Sequence, residues 1–233
     1  MNPIVNVIMA FSKKARERRA AIFRSAFVID ADTRILDLGS GTGSHIHAVL
    51  RGTPVKPDNV YIADIDSAPI EQGKAEFGFV PVLISESKGV PFPDGYFDIV
   101  YCSSVIEHVT VLKERVWSMY SDHEFKRESL IHQKRFAQEI QRVGKQYFVQ
   151  TPYKHFPIES HICLPFLAYL PRWMLIPLLR FTNLFWVMKS NPDWHLLNRN
   201  EMADLFKNAK IIDEKAFGLT KSIMAVKTLT RTP

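Results

Sequence analysis

Arg34-Ile-Leu-Asp-Leu-Gly-Ser-Gly-Thr-Gly-Ser-His45 is the stretch on which the reading of this 233-residue chain turns. Ile35, Leu36 and Leu38 read as a short buried strand, and Gly39, Gly41 and Gly43 follow at alternate positions. A buried strand running into a glycine-rich turn and then a helix is the layout of a nucleotide-type cofactor loop. Glycine accepts positive φ and lets a ligand approach bare backbone, while the free N–H groups of the next helix face an anionic group. A dinucleotide fingerprint requires G-x-G-x-x-G. Counting from Gly39 puts Ser44 in the last place, and counting from Gly41 puts Ile46 there. The loop is instead D-x-G-x-G-x-G, with Asp37 inside the strand end.

Strands and helices alternate on either side of this loop. Residues 1–30 read as a helix, and Asp30–Thr33 as the turn into the first strand. Ser44–Leu50 is the first crossover helix, closed by Gly52 and Pro54. Asn59–Asp66 is a second β-rich run ending in acids. Asp64 lies about twenty residues beyond the glycines, where a carboxylate can accept hydrogen bonds from both hydroxyls of a ribose. A helix from near Pro69 leads to a third strand, 79–84. Tyr96–Cys102 is a fourth strand, 113–142 a charged helix, and Lys145–Val149 a fifth strand. A helix at 200–208 precedes two final strands, 211–216 and 222–228, which can pair antiparallel around Gly218. The pattern predicts one α/β domain over 1–233: a Rossmann-like, doubly wound, mainly parallel seven-stranded sheet with an antiparallel last strand. Residues 1–30 form a basic helix on it, and 151–199 an apolar cap or lid inserted after strand 5.

Composition narrows the class. The formal charge is +6, and much of it sits in Lys13, Lys14, Arg16, Arg18, Arg19 and Arg24. Such a cluster attracts phosphate or forms the solvated face of a helix. Cys102 and Cys163 are far apart with no metal-ligand spacing, which predicts a reducing, cytoplasmic setting and no metal. The longest apolar region, Ile162–Met188, is broken by prolines and arginines and does not read as a membrane span. No leader peptide is evident, because the charges follow the apolar start of the chain.

With these pieces in order, the sequence resembles the class I S-adenosylmethionine-dependent methyltransferases, of methyltransferase type 11, over nearly its whole length. ILDLGSGTG is one match and PFPDGYFDIVYCSSVIEHV a second. The block TPYKHFPIESHICLPFLAYLP, with HLLNRNEMADLF and FGLTKSIMAV, resembles a bacterial subgroup whose acceptors are unassigned. The resemblance implies S-adenosylmethionine as cofactor and S-adenosylhomocysteine as product. Gly39, Ser40, Gly41 and Gly43 would then surround the methionyl part, with Asp37 near its ammonium group. Asp64 would hold the ribose and Ile65 the adenine face. Glu86 would meet the adenine amino group, Ser87 would donate a backbone N–H to the ring, and Ser103 would lie beside the sulfonium.

Methyl transfer from a sulfonium is an in-line displacement that mainly needs positioning and exclusion of water. A hydroxyl acceptor also needs a base. An imidazole, with an ordinary pKa near ~6.5, suits that task at neutral pH. His108, just past the fourth strand, is the first candidate and His161, after the fifth, the second. Glu107 reads as a helix N-terminal charge or a structural partner. Tyr153, Glu159, Phe166 and Trp173 are the candidates for binding the acceptor. The expected partner is a small-molecule, glycan or lipid-linked acceptor methylated at oxygen. Peripheral contact with the inner face of a membrane through 164–188 is a further expectation, with Arg172 and Arg180 at the headgroups. An RNA or protein methyltransferase using the basic N-terminus is one rival, but no Asn/Asp-Pro-Pro-aromatic motif follows the fourth strand. A non-catalytic cofactor-binding scaffold is the other. The sequence sets no oligomeric state.

Overall fold

The computed structural model describes residues 3–85, 89–158, 165–186 and 188–229, with side chains in the first helix from residue 14 onward. In chain order the elements are α1 (Pro3–Ala26), β1 (Ile35–Leu38), α2 (Ser44–Val49), β2 (Val60–Asp64), α3 (Ser67–Phe77) and β3 (Val80–Leu83). Next come β4 (Phe97–Ser103), α4 (Asp122–Val143), β5 (Gly144–Pro152), α5 (Arg172–Phe185), α6 (Arg199–Leu205), β6 (Lys210–Ala216) and β7 (Leu219–Lys227). The strands form one seven-stranded sheet in the order β3-β2-β1-β4-β5-β7-β6. β1 pairs in parallel with β2 and β4, and β2 with β3. β6 and β7 form the antiparallel hairpin expected around Gly218. The doubly wound, mainly parallel fold is therefore as the sequence predicts.

The chain divides into two compact units. The first holds Met1–Tyr101, Val143–Phe148 and Thr228–Pro233, and the second Cys102–Arg142 with Val149–Lys227. In the first, Ile35, Leu36 and Leu38 are fully buried, as a parallel strand covered on both faces requires. Phe23 of α1 packs edge-on against Tyr101 and Phe148, with ring centroids 5.2 and 5.6 Å away, while those two rings stack on each other. In the second, Leu175 and Leu179 of α5 pack with Leu167, Trp194 and Leu196, so the segment after β5 has a core of its own.

The helix expected over 113–142 is shorter than predicted. Residues 113–118 form turns, 119–121 are irregular, and α4 starts at Asp122 after Ser121, whose hydroxyl accepts the Glu124 N–H. The reason is tertiary. The Val116 and Met119 carbonyls accept hydrogen bonds from the Arg172 guanidinium at 2.7 Å each, while their side chains are buried with Val111 and Phe125. Helical periodicity in 113–121 thus gives way to a loop shaped around a buried arginine. The expectation that Arg172 meets lipid headgroups is corrected by the same contacts. It is 4% exposed, stacks 3.6 Å over the Phe125 ring and donates also to the Pro192 carbonyl.

Candidate active site

In the first unit the glycine loop leaves β1 with three successive left-handed glycines: φ is 78° at Gly39, 56° at Gly41 and 73° at Gly43. Their needs differ. A Cβ on Gly43 would come within 2.9 Å of Ile62 Cγ2, so this glycine is also a packing requirement. A Cβ on Gly41 would meet nothing within 4 Å. Gly41 therefore borders open space, a cradle in which a ligand can lie against bare backbone.

Four N–H groups of the loop are committed within the protein. Gly39 and Ser40 both donate to the Ala63 carbonyl, Gly43 donates to Ser40, and Gly41 donates to Asp64 Oδ2 at 2.9 Å. A phosphate-cradling loop keeps such donors for the anion. Beneath this loop lies an acid instead. Asp37 is buried, and no donor among the described residues is seen on its carboxyl. Burial and then the neighbouring Asp64 push it up to about 8. A desolvated carboxyl beside a second carboxylate gains most from a cation. The Ser40 hydroxyl is likewise buried with no partner among the described residues. These features fit the α-ammonium and α-carboxylate of a methionyl group.

Asp64 ends β2 half-buried, its other oxygen accepting the Ile65 and Asp66 N–H groups at 2.8 and 3.3 Å. Each oxygen retains lone-pair capacity for a ribose hydroxyl. Ile65 follows with its side chain exposed, free to cover a flat base. Gly73, on α3, was missed from sequence. A Cβ there would stand 2.3 Å from the Thr42 carbonyl oxygen, so α3 supports the loop by backbone contact. Glu86 and Ser87, expected at the adenine, lie outside the described residues.

The second unit carries the candidates for chemistry. Ser103 closes β4 and donates to Gln150 Oε1 at 2.7 Å, and the hydroxyl of Ser104 reaches the same oxygen at 3.2 Å. Ser104 is held at φ 58°, with its N–H on the Gln150 carbonyl. A non-glycine residue in that region at a strand end marks a constrained position.

His108 follows in a short turn, partly exposed, with Nδ1 3.4 Å from Asp193 Oδ1. The Asp193 backbone is held in turn by the Thr110 hydroxyl at 2.8 Å. Glu107, between them, is fully buried. Its carboxylate accepts from the Thr151 hydroxyl at 2.9 Å and its carbonyl from the His195 N–H at 2.7 Å. Of the two readings from sequence, these contacts favour the structural partner. Asp193, Gln150 and Gln133 were all missed, because they lie far in sequence from the strand end they serve.

Gln133 fixes the tautomer of His195. Its amide nitrogen donates to the Ile106 and His195 carbonyls, so its oxygen faces His195 Nδ1 at 3.0 Å and that nitrogen carries the proton. Burial holds the His195 imidazole down to about 4, with Lys154 and Lys126 opposing its charge and Glu201 favouring it. It is neutral at physiological pH. His195 also lines a cavity of about 180 Å³ with Phe125, Lys126, Lys154, Leu170 and Arg172. Tyr153 extends β5, its N–H on the Lys221 carbonyl and its ring 5.3 Å from that of His155. Phe166 and Trp173 stand largely in solvent. Glu159 and His161 lie outside the described residues.

A glycine loop over a buried acid, a ribose-ready acid on β2 and this strand order define the class. A family model of the methyltransferase domain matches residues 36–147. The matched segment is just under half of the chain, which has the fold of the class I S-adenosylmethionine-dependent methyltransferases. The ubiquinone/menaquinone biosynthesis C-methyltransferase of Vibrio vulnificus is 31% identical over 93 residues, which is 37% of this chain and 35% of that one. The enzyme of the same name from Photorhabdus laumondii is 28% identical over 123 residues, 50% and 48% of the two chains. The chain thus spans a third to a half of the length of these curated relatives. Among solved structures, magnesium protoporphyrin IX methyltransferase from Synechocystis, with SAH bound, has a TM-score of 0.53. It is 12% identical, with 98% of this chain and 89% of that chain covered. Phosphoethanolamine N-methyltransferase 2 of Haemonchus contortus, in complex with S-adenosyl-L-methionine, gives 0.52 at 11% identity, covering 84% and 38%. At such identities these structures speak for the fold alone.

Proposed function

We propose that the protein transfers the methyl group of S-adenosylmethionine to a hydroxyl of a small-molecule, glycan or amphipathic acceptor, with His108 as general base. The observation that carries this reading is the His108–Asp193 pair five residues beyond Ser103, the position that the family resemblance puts beside the sulfonium. When bound, S-adenosylmethionine supplies an electrophilic methyl group on a good leaving group. Asp37 and the glycine loop hold the methionyl end, and Asp64 the ribose. Asp193 orients the imidazole through Nδ1 and leaves Nε2 to take the hydroxyl proton. The acceptor oxygen bonds to the methyl carbon as the carbon–sulfur bond breaks, and the bonding pair stays on sulfur. The cavity beside Lys126, Lys154 and His195, with Phe125 and Leu170 on its walls, suits an acceptor that joins an apolar body to an acidic group.

The test is transfer of a labelled methyl group to a panel of phenolic, glycosidic and lipid-linked hydroxyl acceptors, with the methylated atom assigned by NMR. His108→Ala is expected to lower turnover about a hundredfold or more while S-adenosylhomocysteine affinity is retained. The curated relatives are named C-methyltransferases, so a methyl group on carbon would overturn the hydroxyl assignment and leave the donor site intact.

A further inference from the structure

We infer that the outer face of α5 is a docking surface for an anionic phospholipid bilayer. α5 is apolar on two opposite faces. Leu175, Ile176 and Leu179 are buried on the inner one. On the other, Trp173, Phe181 and Phe185 are 61–62% exposed and Leu184 is 80% exposed, with Met174 beside them. With exposed Pro177 between Met174 and Phe181, these positions recur every three to four residues along the 14-residue helix, so they form one continuous stripe. Large apolar side chains scattered singly on a surface are ordinary, but a helical stripe of five is not.

Charge selects the occupant. No Asp or Glu occurs between residues 160 and 192, while Arg180 and Lys189 lie along this segment and are exposed. A second copy meeting this face about a two-fold axis would oppose cations to cations, with no acid in residues 160–192 to answer them. Anionic headgroups supply the missing charge, and the acyl boundary accepts the aromatic and leucine side chains. Arg180 suits the headgroup level, its apolar stem along the helix and its guanidinium at the Trp117 carbonyl and ring. No helix among the described residues is long and apolar enough to cross a membrane. α5 would therefore lie in the interface plane.

The experiment is co-sedimentation of the full chain with vesicles of phosphatidylglycerol and phosphatidylcholine, and with phosphatidylcholine alone. The wild type is expected to bind the anionic vesicles, and Leu184→Ser with Phe185→Ser to weaken that binding at least about tenfold. Both side chains are solvent-exposed, so the variant should keep the circular dichroism and S-adenosylhomocysteine affinity of the wild type. Arg180→Gln should weaken binding and flatten its salt dependence. Absence of vesicle binding would overturn the inference, as would undiminished binding by the double variant. So would a dimer, seen by light scattering, that the double variant abolishes.

Discussion

The Asp64 carboxylate accepts a hydrogen bond from the Gly41 N–H at 2.9 Å, tying the end of β2 to the middle of the glycine loop. The same side chain is the proposed holder of the ribose, so it shapes the loop and meets the ligand. Asp64→Ala should lower S-adenosylhomocysteine affinity about a hundredfold, because charge-assisted bonds to ligand and loop are lost together. Asp64→Asn keeps an acceptor for Gly41 and should lose less. Titration calorimetry on the two variants separates the effects.

Asp37 makes a prediction about protons. Its carboxyl is raised to about 8 without ligand, so at pH 7 it is mostly protonated. An ammonium group beside it favours the carboxylate, so cofactor binding at pH 7 should release a proton to the buffer. Calorimetry in buffers of different ionisation enthalpy measures that release, and Asp37→Asn should abolish it. The linked stability effect has a definite sign. The folded state holds a proton that the unfolded chain gives up above the ordinary aspartate value of 3.8. The ligand-free protein should therefore lose stability as pH rises from 4 to 8, and the loss should be complete above that range.

Gly73→Ala sets helix propensity against packing. In an exposed helix the change would stabilise by about 1 kcal/mol. Here the added Cβ meets the Thr42 carbonyl oxygen and Ile62 Cδ1 at 2.3 and 2.6 Å. Backbone cannot yield as a flexible side chain does, so destabilisation by about 1–3 kcal/mol is expected, with weaker cofactor binding as the loop shifts. Thermal melts with and without S-adenosylhomocysteine report both.

Arg172 should be irreplaceable by lysine. Its guanidinium serves the Val116, Met119 and Pro192 carbonyls at once, and its backbone N–H meets Asp122. A single ammonium cannot span that fork. Both Arg172→Lys and Arg172→Met should destabilise by about 3 kcal/mol or more, since buried carbonyls are left without donors. Denaturant melts provide the measure.

The glycine loop, the strand alternation and the closing hairpin were legible because each is written locally. Gly39, Gly41 and Gly43 take the positive φ that their spacing implies, and Ile35, Leu36 and Leu38 are buried as their pattern requires. What stayed hidden is non-local. The apolar spacing of 113–121 looks helical until Arg172, from α5, claims its carbonyls. Asp193 carries no motif and gains meaning only when it arrives beside His108. Gln150 and Gln133 are ordinary amides in sequence, and their roles follow from the carbonyls and side chains that folding places around them. Arg172 itself looked like a surface cation, because its neighbours are apolar and nothing nearby in sequence announces its acceptors.

The interleaving of the two units limits how this chain can be rebuilt. The backbone passes from one unit to the other within β4, between Tyr101 and Cys102, and again within β5, between Phe148 and Val149. A chimera that takes its second unit from a relative would, if cut at those boundaries, sever hydrogen-bonded strands. Exchanges that keep β4 and β5 whole, with joints at exposed loop positions such as Asp94 and Phe217, respect the ladder. Exchange of single side chains and loops therefore suits this chain better than exchange of a whole unit.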